Sequence, residues 1–158
     1  MAEQIKFDGG SLKWQGKEFF ELASNANTKA MNMAVLLVER DVKKSFGTGA
    51  SRADVKIRKT KSGKFHRPSA AGFPPNVDLG ALKSSITGIV KIKKLKITGF
   101  VGSHLQKLAA KADVGTDLEY GYYLEVGTSK MQPRPYLRPA LQRNESKILQ
   151  IFKKANGK

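Results

Sequence analysis

Cysteine is absent from the 158 residues, and histidine occurs only as His66 and His104. Disulfides and thiolate metal sites are thereby excluded, and a zinc centre would lack its usual nitrogen and sulfur donors. No cofactor and no metal are expected. Long hydrophobic runs are missing too: none approaches the roughly 18–20 residues that cross a bilayer. The opening MAEQIKFDGG lacks the basic-then-apolar order of a secretory leader. The expectation is a soluble chain made in the cytoplasm, with no membrane partner. Acidic residues are scarce, 13 Asp and Glu against 29 Lys and Arg, for a formal charge of +16. That imbalance favours contact with nucleic acid or with an acidic protein surface, and does not choose between them.

What is present suits a packed core. Hydrophobic residues make up 40% of the chain and include eight Phe, four Tyr and one Trp. The length accommodates one core, so residues 1–158 are expected to form a single domain, with a basic, flexible insertion over residues 47–76. From Gly16 to about Phe46, Phe19, Leu22, Ala23, Ala26, Ala30, Met33, Ala34 and Leu37 recur at three- and four-residue spacing. This predicts one long amphipathic helix, ended by Gly47 and Gly49.

Between Lys43 and Arg67 stand nine Lys or Arg residues and one acid, Asp54, with a polar turn around Ser62 and Gly63. The stretch reads as a basic, exposed β-hairpin or loop whose cations are Arg52, Lys56, Arg58, Lys59, Lys61, Lys64 and Arg67. Pro68, Gly72, Pro74 and Pro75 then break regular structure, and Asp78 is placed to cap a short helix through Leu79, Leu82 and Ile86.

In ITGIVKIKKLKITGFVGS, Val90 and Ile92 alternate with Lys91 and Lys93, as Leu95 and Ile97 do with Lys94 and Lys96. Two strands with one wet face and a turn near Lys93 and Lys94 follow. A third strand is expected around Ala112–Thr116, a short helix over Tyr120–Glu125, and a terminal helix over about Tyr136–Lys154 with Pro139 in its first turn. The order gives an α+β domain: an antiparallel β-sheet packed against the long N-terminal and the C-terminal helix, with the basic insertion projecting.

Few residues suggest chemistry. No phosphate-cradling glycine pattern occurs; Gly47-Thr48-Gly49 is the nearest and reads as a loop. Neither histidine has a nucleophile or acid beside it in triad order. Asp113, Asp117, Glu119 and Glu125 gather four carboxylates that could hold a divalent ion in a nuclease. The same acids, facing a basic strip on another copy, suit head-to-tail association, which is the favoured expectation. Tyr120, Tyr122, Tyr123 and Tyr136 could stack bases if exposed beside cations, although tyrosines at such spacing more often pack with one wet end.

The stretch EYGYYLEVGTSKMQPRPYLRPAL, Glu119–Leu141, resembles the head-tail joining and tail-completion morphogenesis family of long-tailed siphophages, the tenth-gene-product-like family of the phage neck. Its signature runs approximately Tyr-Ala, an aromatic or aliphatic pair, Glu-Phe-Gly-Thr, and Arg-Pro-Phe-Leu-Arg-Pro-Ala. Tyr120 and Gly121 stand at the first place, Glu125, Val126, Gly127 and Thr128 at the second, and Arg134, Pro135, Tyr136, Leu137, Arg138, Pro139 and Ala140 at the last. Gly121, Val126 and Tyr136 depart mildly from it. A second stretch, Asp78–Ile86, is similar to the family's Gly-x-Leu-Arg-x-Ser-Ile element.

The resemblance implies a structural virion protein and no enzyme. Such a subunit forms a ring with itself, expected as a hexamer, at the neck or tail top after assembly in the host cytoplasm. Its implied partners are the head-completion or connector protein and the tail tube or tail terminator protein, with phage DNA in the channel as a further contact. The basic segment would then be an arm that orders on docking. The alternative from charge alone is a basic nucleic-acid-binding module.

Overall fold

The computed structural model describes residues 4–7, 10–13, 16–50, 58–59, 63, 65–66, 68–77, 80–93, 96–103 and 120–157. The chain opens with an antiparallel hairpin, β1 (Gln4–Phe7) and β2 (Gly10–Lys13), in the register Ile5↔Leu12. This hairpin is absent from the sequence expectations. Its signal is the Asp8-Gly9 pair between two short alternating runs, a pair suited to a two-residue hairpin loop.

The long helix is present as α1 (Gly16–Ser45). It spans about 45 Å at 1.5 Å per residue. Ala30, Ala34, Val35, Val38 and Val42 are buried along one side, as the three- and four-residue spacing requires. The helix stops where Gly47 takes a left-handed φ of 79° and its N–H turns away to the Pro75 carbonyl at 3.0 Å.

Of the basic insertion, the structure describes a minimal antiparallel pair, β3 (Arg58–Lys59) and β4 (Phe65–His66), on either side of the expected turn. The base of the insertion is fastened. Ala70 N–H donates to the Ala50 carbonyl at 2.8 Å, and Gly72 N–H to the Pro133 carbonyl at 2.9 Å. A short helix, α2 (Ala81–Ser85), follows from Gly80, which occupies the N-cap position with no side-chain cap. The expected cap, Asp78, lies with Leu79 outside the described residues. Ile86, expected in that helix, instead opens the next strand and is fully buried. The change of element agrees with the β preference of a branched Ile-Thr pair.

Strands β5 (Ile86–Lys93) and β6 (Lys96–Ser103) pair antiparallel over their whole length, from Ile86↔Ser103 to Lys93↔Lys96, while Lys94 of the expected turn lies outside the described residues. One face of the ribbon meets α1 very closely. A Cβ added at Gly99 would lie 2.6 Å from Val35 Cγ2, and one at Gly88 would overlap Val35 Cγ1. The two glycines therefore make a trough into which Val35 fits, and Gly88 N–H donates to the Glu39 carboxylate at 2.9 Å. The opposite face carries the exposed Lys91, Lys93 and Lys96, with Lys91 Nζ 5.7 Å above the Phe100 ring. The third strand expected near Ala112–Thr116 falls outside the described residues.

Two further helices are described, α3 (Tyr120–Val126) and α4 (Leu137–Ala155). Pro139 is the third residue of α4, a first-turn position at which its missing N–H leaves no helical bond unmade. Helix α1 is the spine: it packs on both β5–β6 and α4. The core joins Val38, Val42 and Phe46 of α1 and its end to Leu82, Ile86, Tyr136 and Ala140, with Val101, Leu124, Leu137 and Ile148 packed around them. Polar ties add to this seam. Asp41 Oδ2 accepts from Arg143 Nη2 at 2.9 Å and from the buried Asn144 Nδ2 at 3.0 Å. An α+β domain in which a two-stranded antiparallel ribbon and α4 both pack on α1 is thus the observed class, as expected.

Candidate functional site

The stretch that carries the family resemblance folds into a tight corner between α3 and α4. Gly127 makes the bend. It holds a left-handed φ of 80°, and any Cβ there would meet the Met131 carbonyl at 2.9 Å and Pro133 at 3.0 Å. Both conformation and space therefore demand glycine. A four-residue turn follows, closed by Thr128 N–H to the Met131 carbonyl at 2.8 Å and by Lys130 N–H to Thr128 Oγ1 at 3.3 Å. Arg134 N–H then donates to the Leu124 carbonyl at 2.6 Å, bringing the chain back against α3. Arg134 Nη1 contacts Met131 Sδ at 3.3 Å.

Glu125 is the keystone of this corner. Its Oε2 accepts from Tyr136 N–H at 2.8 Å and Leu137 N–H at 3.0 Å, and its Oε1 accepts from Arg138 N–H at 2.9 Å. These are donors that the start of α4 leaves without helical partners, and a carboxylate there also meets the positive end of the helix dipole. Glu125 is thus a helix cap supplied from another element. The residue at the N-cap position itself, Tyr136, makes no side-chain cap.

Tyr136 is 1% exposed and packs edge-on against Phe46, with ring centroids 5.2 Å apart. Its hydroxyl donates to the Gly121 carbonyl at 3.1 Å. A Cβ at Gly121 would sit 3.0 Å from that hydroxyl, and equally close to Leu82 Cδ1 and Ser103 Oγ. Two of the departures from the family pattern, glycine for alanine and tyrosine for phenylalanine, therefore touch each other. The added hydroxyl occupies room that a methyl would need.

The remaining pattern residues flank this frame. Pro135 and Pro139 are half-buried, while Thr128 and Arg138 face solvent. Tyr120 begins α3, and its side chain lies outside the described residues. On the outer side of α3, Tyr122, Tyr123 and Val126 are 66%, 44% and 50% exposed, the two rings meeting edge-on at 5.8 Å. Of the four tyrosines proposed to stack or pack, Tyr136 is core, whereas Tyr122 and Tyr123 are surface.

The expected acidic strip is changed by this geometry. Glu125 spends both oxygens on its own backbone, while Asp113, Asp117 and Glu119 lie outside the described residues. Among the described residues no group of three metal-ligating side chains forms, and no helix is long and apolar enough to cross a membrane. Of the basic arm, Lys59 is exposed in β3 and Arg58 is its strand neighbour. Arg52, Lys56, Lys61, Lys64 and Arg67 lie outside the described residues, as does His104.

The sequence pattern marks the corner's residues and does not by itself show their division of labour. The signal for Glu125 as a cap was available in principle: a carboxylate one helix before a proline-bounded turn, and a following helix with no Ser, Thr, Asp or Asn at its start. Comparison of the chain with protein-family models, curated proteins and solved structures finds no match.

Proposed function

We propose that this chain is a structural virion protein, a head-tail connector or tail-completion subunit that forms a ring joining the head or neck of a phage to its tail tube. The observation that carries the reading is the use of Glu125. The motif of the resemblance spends the Glu125 carboxylate on its own backbone and so ties α3 to the start of α4, which is what an assembly subunit requires. The exposed Tyr122, Tyr123 and Val126 supply an apolar patch of the kind that packs between subunits. An enzymatic reading loses a carboxylate to the same cap.

The decisive experiment is to image particles assembled with and without this polypeptide. Ring density at the neck that disappears with the protein, together with heads and tails left unjoined, is the expected outcome. Complete, infectious particles lacking it would end the proposal.

A second reading, a nucleic-acid-binding module, is favoured by Lys91, Lys93 and Lys96 standing on one exposed ribbon face beside Phe100. Titration with duplex DNA at two salt concentrations tests it, because phosphate binding falls steeply as salt rises. Negligible binding at the lower salt would dismiss it.

A further inference from the structure

Helix α1 has a second apolar stripe that stands exposed among the described residues. Leu22, Met33 and Leu36 are 72%, 58% and 63% exposed. With the exposed Lys29 and Arg40 they follow one another at seven-, four-, three- and four-residue steps, the spacing of a single ridge in heptad order. Val35, Val38 and Val42, which face the ribbon and α4, belong to the other side of the helix.

The ridge runs into a cleft of 410 Å³ lined by Leu36, Glu39, Arg40, Lys43, Lys44 and Lys83. Its one carboxylate is already engaged: Glu39 Oε1 lies 2.7 Å from Lys43 Nζ, and its Oε2 accepts from Gly88 N–H at 2.9 Å. Arg40, Lys44 and Lys83 have no ion pair among the described residues. Lys43 and Lys44 complement the negative end of the α1 dipole. Lys83 comes from α2, which that dipole does not explain.

We propose that this face, from Leu22 to the Arg40–Lys83 cleft, docks an acidic amphipathic helix belonging to a different protein. Apolar side chains of such a helix would cover Met33 and Leu36 in the manner of a helical seam, and its carboxylates would meet Lys29, Arg40, Lys44 and Lys83. Nucleic acid fits less well, because phosphates would satisfy the cations and leave Met33 and Leu36 wet. A second copy of this chain also fits less well. Among its described residues, helix α4 carries Arg138, Arg143, Lys147, Lys153 and Lys154 against Glu145 alone, and Glu39, Asp41 and Glu125 are held by intramolecular contacts, which leaves Glu21 as the one exposed carboxylate described on α1. The inference stands on this face and is independent of the virion reading, which particle imaging tests separately.

The test uses the full chain and a fluorescent synthetic helix of three heptads, with Leu at its seam positions and Glu at the flanking ones. A scrambled peptide of the same composition and a duplex DNA serve as the other arms. The ordered peptide should bind, and Leu36→Asp and Arg40→Glu should each weaken it at least tenfold. Lys83→Glu should weaken it too, Lys153→Glu should not, and the unfolding midpoints of all four variants should stay near that of the parent. The proposal is overturned if the ordered peptide binds no better than the scrambled one. It is equally overturned if DNA binds the cleft with no dependence on Leu36, or if sedimentation shows a self-associated form that Leu36→Asp dissolves.

Discussion

At the scale of single residues, Glu125 separates a structural from a chemical role for the motif. Three backbone N–H groups at the start of α4 end on its two oxygens. Glu125→Ala should therefore destabilise the fold by about 2 kcal/mol, the upper part of the range for losing a helix cap, because more than one donor is stranded. Glu125→Gln, which keeps one acceptor oxygen, should lose less. Urea denaturation measures both, and an unchanged midpoint for Glu125→Ala would remove the cap from the account. Gly121 and Tyr136 permit a sharper test. Tyr136→Phe should cost about 1 kcal/mol for the lost bond to the Gly121 carbonyl. Gly121→Ala should cost at least as much by crowding the hydroxyl. The double variant should be more stable than the sum of the two losses predicts, since removing the hydroxyl relieves part of the crowding. Strict additivity would mean that the two positions do not compete for the same space.

At the scale of elements, α1 approaches the ribbon closely, where Val35 rests on Gly88 and Gly99. Gly99→Ala should destabilise by about 1–3 kcal/mol, as overpacking does. Adding Val35→Ala should recover part of that loss, despite the cavity that such a truncation usually leaves. A double variant no better than the product of the singles, judged by thermal unfolding, would argue against the contact. These elements also mark how far local pattern extends. Helix α1 and the β5–β6 pair were legible because a periodicity near 3.6 and an alternation of two persist over many residues there, with Gly47 as a stop. The β1–β2 hairpin was not, since four-residue strands offer too few repeats. The start of α2 was misplaced because Asp78 advertises a cap more strongly than Gly80 does. Glu125 reaching α4, and Val35 filling a glycine trough, are meetings of distant segments for which periodicity carries no signal.

At the scale of the whole molecule, charge and apolar surface give opposite instructions about self-association. A formal charge of +16 on 158 residues makes like copies repel, and repulsion between exposed charges is screened over about 10 Å at 0.1 M salt. Against this, Tyr122, Tyr123 and Val126 are apolar and exposed on α3, and contacts of that kind do not weaken as salt rises. Complementary acidic and basic strips, the alternative suggested by the sequence, would behave in the reverse way, because salt screens attraction as well. Glu125, the described member of that acidic strip, is committed to the α4 cap and is a poor candidate for an intersubunit ion pair. Sedimentation velocity of the purified chain should therefore show association increasing between about 0.05 and 0.5 M salt, as repulsion is screened and apolar contact remains. Tyr122→Glu should reduce association at the higher salt while leaving the unfolding midpoint in place, since that ring is 66% exposed. Oligomers that dissolve as salt is added would restore the charged strips and shift attention to Asp113, Asp117 and Glu119.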